Sequence, residues 1–113
     1  MYKRVDLLDI KYYKITYHNN AIAYKFGKSF HRVDGPAVIQ ENGTEEWLYM
    51  GKLHRLDGPA RTIVDNTVIT EWWVDGHKVN ECFPKWAKDN NITYPFTEEQ
   101  NILFKLRWVN YDH

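Results

Sequence analysis

Cysteine, serine and net charge are all scarce in this chain of 113 residues. Cys82 is the only cysteine, so no disulfide can form within the chain, and a reducing compartment is expected. Ser29 is the only serine and lies in no nucleophile elbow, and Cys82 has no activating neighbour in the sequence. The six glycines fall where turns are expected and make no phosphate-binding loop, and paired acids such as Glu45-Glu46 and Glu98-Glu99 read as solvated positions. The formal charge is zero, which argues against a generic nucleic-acid or membrane-surface binder. No apolar run approaches the length of a membrane span. The N-terminus sets Lys3, Arg4, Asp6 and Asp9 around a short apolar stretch, unlike a secretory leader. The expectation is a cytoplasmic, non-enzymatic protein with no cofactor.

Large rings are abundant, with five Trp, eight Tyr and five Phe. Each buries a large area, so a single domain spanning 1–113 can still build a modest core. Charge is distributed unevenly. Residues 1–28 carry six Lys/Arg against two Asp/Glu, residues 29–80 five against eight, and residues 81–113 four against five.

The chain also repeats itself. His31-Arg32-Val33-Asp34-Gly35-Pro36-Ala37 returns as His54-Arg55-Leu56-Asp57-Gly58-Pro59-Ala60, identical at six of seven positions after 23 residues. A period of that length marks one supersecondary unit copied side by side. Trp47 aligns with Trp72, Glu46 with Glu71 and Gly51 with Gly76. A third copy starts at Gly76-His77-Lys78-Val79 and then stops.

Around these units the sequence predicts antiparallel hairpins. Ile10–Tyr17 and Ala21–Phe26 read as strands joined at His18-Asn19-Asn20, a hairpin and degenerate half-repeat over 1–28. Within 29–80, Ala37–Gln40 and Glu45–Met50 flank an Asn42-Gly43 turn assigned to type I′. Ala60–Val64 and Thr67–Val74 flank a turn at Asp65-Asn66. Beyond residue 80, Pro84 opens a short helix that Asn90-Asn91 ends. Thr97 with Gln100 forms a capping signature before Ile102, Leu103, Leu106 and Val109, with Phe104 and Trp108 as a second, aromatic edge. The fold class is therefore mainly β with C-terminal α: a meander of about six strands capped by two short helices, with 81–113 as the cap.

Within the motif, Asp34 and Asp57 form turns, Gly35 and Gly58 supply positive φ, and Pro36 and Pro59 set the entry to the next strand. His31 and His54 are expected to bond a turn. Arg32 and Arg55 are expected to pair with Asp34, Asp57, Glu46 or Glu71. Two histidines without a third ligand do not make a metal site. Trp47 and Trp72 point inward as the repeating core, and Trp73 faces the other side of its strand.

The run Gly51-Lys52-Leu53-His54-Arg55-Leu56-Asp57-Gly58-Pro59-Ala60, followed by Glu71-Trp72-Trp73 and Gly76, resembles a divergent class of MORN-like repeats found in small proteins of tailed bacteriophages and in some large DNA viruses. The resemblance covers roughly residues 24–80. It implies antiparallel hairpin arrays that serve as binding scaffolds, and some bacterial relatives carry an antitoxin-like label. The expected function is a phage accessory protein that binds a host protein and inhibits or redirects it. Its contacts would be Arg32, Arg55, Trp73, Lys105, Arg107 and Trp108. The alternative is a nucleic-acid binder, with Lys3, Arg4, Lys11, Lys14, Lys25 and Lys28 interleaved with Tyr12, Tyr13, Tyr17 and Tyr24 as a stacking platform. An open meander has two edges, and the edge strand at 10–17 offers a second copy a route to a homodimer.

Overall fold

The structure, a computed structural model, describes residues 3–109. It is mainly antiparallel β with two C-terminal helices. Eleven short strands form: β1 (Lys3–Asp9), β2 (Tyr12–Tyr17), β3 (Ile22–Phe26), β4 (Ser29–Phe30), β5 (Val38–Ile39), β6 (Glu45–Glu46), β7 (Leu48–Tyr49), β8 (Lys52–Leu53), β9 (Arg61–Val64), β10 (Val68–Val74) and β11 (His77–Val79). Nine belong to one sheet, ordered β1-β2-β3-β5-β6-β9-β10-β11 with β4 beside β3, while β7 and β8 pair separately. Helices α1 (Phe83–Asp89) and α2 (Glu98–Phe104) follow, and a wider π-type turn, Lys105–Val109, extends α2.

The fold has more strands than the expected six: the short strands β4, β8 and β11 return after turns, and two of the expected stretches do not run as single strands. Residues 10 and 11 turn rather than extend, with Lys11 at φ 59°, so the chain before them forms a strand of its own, and the stretch expected to be the free edge, 10–17, is instead covered by it. The expected strand Glu45–Met50 also breaks at Trp47: its pairing toward β9 ends with the Trp47 N–H donating to the Ala60 carbonyl, and the chain beyond turns back on β8 through Met50-Gly51. Both residues of that turn have positive φ, as do Asp75 and Gly76 after β10, the pattern of a type I′ hairpin. The Asn42-Gly43 turn is different. Only Gly43 has positive φ, at +94°. Asn42 instead accepts from the Thr44 N–H at 3.0 Å and donates to the Val64 carbonyl at 2.8 Å, tying its hairpin to the next. Thr44 strengthens that tie, its buried Oγ1 accepting from the Val64 N–H at 3.0 Å.

The repeat is a backbone device. Ala37 and Ala60, each fully buried, sit just after the prolines and bridge two strands apiece. The Ala37 N–H donates to the Glu46 carbonyl while its own carbonyl accepts from Tyr24. The Ala60 N–H donates to Glu71 and its carbonyl accepts from Trp47. A larger side chain would find no room there.

The densest packing lies at the C-terminal end. Val74, Phe83, Ala87, Ile92 and Phe104 form the buried cluster, with Leu56, Val79, Trp86, Phe96, Trp108 and Val109 packed around it. Thr97 makes the expected reciprocal capping box with Gln100. The expected stripe of α2 is displaced, however. Ile102, Leu103 and Leu106 are exposed, whereas Phe104 is buried against Phe83 and Phe96. Of the expected stripe only Val109 packs on the cluster; the inward positions of α2 and its extension are otherwise taken by the rings of Phe104 and Trp108 against Phe83. No helix among the described residues is long and apolar enough to cross a membrane.

Candidate functional site

Each His-Arg-x-Asp-Gly-Pro-Ala loop lies over one ring of the sheet. The Arg32 guanidinium sits 4.1 Å from the Tyr24 ring centroid, and Arg55 sits 3.9 Å from that of Trp47. Each is held in the same way. Arg32 Nε meets Asp34 Oδ1 at 3.1 Å and its Nη1 donates to the Pro36 carbonyl at 3.3 Å. Arg55 repeats this with Asp57 at 2.9 Å and Pro59 at 3.2 Å. The arginines therefore pair within their own loops. Glu46 and Glu71 take Arg61 between them, at 3.3 and 3.6 Å, on another part of the sheet.

The glycines have a different role from the one expected. Neither Gly35 nor Gly58 has positive φ. A Cβ on either would lie 2.8 Å from the Cζ of its arginine. The missing side chain is what lets the guanidinium curl beneath the turn, a close approach rather than a left-handed backbone.

The histidines join one unit to the next. His31 Nδ1 accepts from the Met50 N–H at 2.9 Å, and His54 Nδ1 accepts from the Asp75 N–H at 3.0 Å. In each case the donor opens the next type I′ turn. An Nδ1 that accepts must be unprotonated, so each ring is held as the neutral Nε2–H tautomer. Burial pushes His54 down to about 4, against a smaller upward pull from Asp75, and burial also lowers His31.

Between these parts runs a file of rings. His31 meets Tyr49 at 4.7 Å, Tyr49 meets Tyr94 at 4.9 Å, and Tyr94 lies 3.8 Å from His54. Tyr94 continues through Phe96 to Phe104. Backbone pairing equates Tyr49 with Val74 in the next unit, where no ring exists. Tyr94 supplies that ring from the C-terminal segment, and its hydroxyl donates to Asp75 Oδ1 at 2.7 Å. Burial, followed by that hydrogen bond, pushes the Tyr94 phenol well above its ordinary range.

Two grooves flank this file. One, of about 400 Å³, lies between the loops, with Trp47, Tyr49 and His54 among its lining and Arg32, Arg55 and Tyr94 around it. The other, of about 490 Å³, lies on the N-terminal side and is lined by Ile10, Tyr12, Phe26, His31, Val33 and Asp34. Here the two repeats part company. Leu56 is partly buried against the helical core, whereas Val33, its equivalent, is 72% exposed beside Ile10 at 80%.

The remaining expected contacts lie apart from one another. Trp73 is half-buried, on the face opposite Trp72, and its Nε1 donates to Glu71 at 3.0 Å. Trp47 and Trp72 are half-buried and stand outside the buried cluster, so they are not the repeating core expected; Trp72 shares its face with Tyr24 and Trp47 but has no arginine above it, and Asn80 stands where the third arginine would fall. Trp108 packs on Phe83 and Trp86 at 5.3 and 5.8 Å, with Arg107 over its ring. Lys105 and Arg107 are exposed. The basic residues of the first hairpins are divided: strand register puts Arg4 and Lys14 on one face and Lys3 and Lys25 on the other. Among the described residues no group of three or more His, Cys, Asp or Glu side chains could hold a metal.

Sequence reasoning missed Tyr49, Tyr94 and the Ile10–Val33 patch, and it named Tyr24 for stacking nucleic-acid bases rather than as the seat of Arg32. Part of the signal was present, since an aromatic residue precedes each motif histidine by seven positions, as Tyr24 and Trp47 do. No family model matches the chain, and neither the curated proteins nor the solved structures contain a match.

Proposed function

We propose that this chain is a non-catalytic binding module that docks a partner protein on the open side of its first repeat. The observation that carries the reading is the asymmetry between Val33 and Leu56. Equivalent positions in near-identical loops differ in cover: one lies under the protein's own helices and the other is bare. Exposed apolar side chains grouped around a groove, with Asp9 and Asp34 at its rim, are the usual signature of a protein-interaction site. The engaged state of the motif residues supports a binding role over catalysis. His31 and His54 spend Nδ1 on backbone amides, and Arg32 and Arg55 are tied to their own turns.

In its finer form the proposal is a MORN-like accessory protein of a bacteriophage, acting in the bacterial cytoplasm by holding or redirecting a host protein. Stoichiometric occupation of a target suits a small domain built around such a groove. The test is affinity capture from bacterial lysate, with and without nuclease, comparing the natural chain with Val33→Asp. A single stoichiometric protein that survives nuclease and is lost with Val33→Asp is the expected result. Capture that disappears with nuclease would instead favour nucleic acid as the partner.

A further inference from the structure

The first strand is the least protected part of the sheet. β1 is seven residues long and, among the described residues, pairs on one side only, with β2. The opposite edge, β11, has three residues and leads directly into the helices. Along β1 nearly every side chain is exposed, and Val5 is 51% accessible although it ends an apolar cross-strand row through Ile15, Ala23 and Val38. A long edge with apolar side chains invites another strand unless charge or curvature blunts it.

The charges on β1 do not blunt it in the usual way, because they are of both signs and spaced to complement themselves. The strand is in regular register from Lys3 to Leu7, and an irregularity at Leu8 ends that stretch. Its middle residue is Val5. An antiparallel copy related by a two-fold axis at Val5 sets Val5 against Val5, Arg4 against Asp6 twice, and Lys3 against Leu7 twice. Opposite charges directly across strands are favourable, and the lysine stem covers the leucine. Arg4 already holds Asp6 of its own strand at 3.1 Å. In the pair each carboxylate would lie between two guanidinium groups, and the apolar row would run unbroken from one sheet into the other.

We propose that two copies of this chain associate through β1 in this register, forming one continuous sheet across a two-fold axis. This surface is made of different residues from the Val33 patch, so it stands or falls separately from the proposed function. The experiment is sedimentation velocity on the whole chain from about 1 to about 200 μM, the range in which modest interfaces dissociate. The natural chain is expected to show a concentration-dependent monomer–dimer equilibrium. Arg4→Asp places carboxylate against carboxylate and is expected to weaken it at least about tenfold. The double variant Arg4→Asp/Asp6→Arg restores both pairs and is expected to recover association. A cross-link provides a second readout: Val5→Cys, made with Cys82→Ser, is expected to give a disulfide-linked dimer on mild oxidation. A natural chain that stays monomeric throughout, a dimer indifferent to Arg4→Asp, or no cross-link at position 5 would each overturn the proposal.

Discussion

The two repeats are nearly the same sentence in different surroundings. Both curl an arginine over a ring, hold it with an aspartate and a proline carbonyl, and use a histidine to fasten the next turn. They differ in what lies outside. The second loop carries Leu56 beneath the helical core and His54 beneath Tyr94, whereas the first leaves Val33 bare. The motif therefore builds the fold in both places, and the first copy leaves far more of its apolar position exposed. Equivalent substitutions in the two repeats should separate these roles.

The largest expected effect concerns pH. Burial favours neutral His54, so its contribution is complete above pH 6.5 and is lost as the pH falls from 6.5 toward 4. Between pH 7 and pH 4 this linkage amounts to roughly 3 kcal/mol. Chemical denaturation across that range should show the loss, and His54→Ala should flatten most of the slope. His31→Ala, at the less buried site, should flatten it less. Equal slopes in all three proteins would show that the histidine-to-turn bonds do not couple to folding.

Next comes the close approach under the turns. Gly58→Ala pushes the flexible Arg55 guanidinium from its seat and should cost about 1 kcal/mol, the worth of its contacts with Trp47, Asp57 and Pro59. Adding Gly58→Ala to Arg55→Ala should then cost much less than it does alone, because the clash is gone. Strict additivity in this thermal-unfolding cycle would break the argument. Gly35→Ala tests the same geometry in the first repeat, where Arg32 stands equally close.

Leu56→Ala should cost about 1–2 kcal/mol, less than a fully buried leucine, whereas Val33→Ala should fall within about 0.5 kcal/mol of the natural chain. Tyr94→Phe removes the hydrogen bond to Asp75 but keeps the ring, and should cost about 1 kcal/mol by thermal denaturation.

The sequence made the hairpins and the capped helix legible because these are local. Thr97 and Gln100 lie three residues apart, and each motif turn is spelled out within seven residues. What it concealed is contact across distance. Nothing near Tyr94 indicates that it fills the ring position left vacant by Val74, nineteen residues beyond Asp75 in the chain. Gly58 looks like any turn glycine until Arg55 is seen beneath it. The α2 stripe was misread because spacing alone cannot tell an aliphatic edge from an aromatic one, and the floor of Phe83 and Phe96 decides between them. The Val33 patch was invisible for the same reason, since the sequences of the two loops agree and only their cover differs.

By the proposed function, one apolar position serves the fold in the second repeat and a partner in the first. The most direct measurement pairs Val33→Asp with Leu56→Asp, scoring melting temperature and partner capture for each. Leu56→Asp is expected to lower the melting temperature sharply, while Val33→Asp leaves it unchanged and abolishes capture. A Val33→Asp protein that melts as early as Leu56→Asp, or that still captures the partner in full, would contradict it.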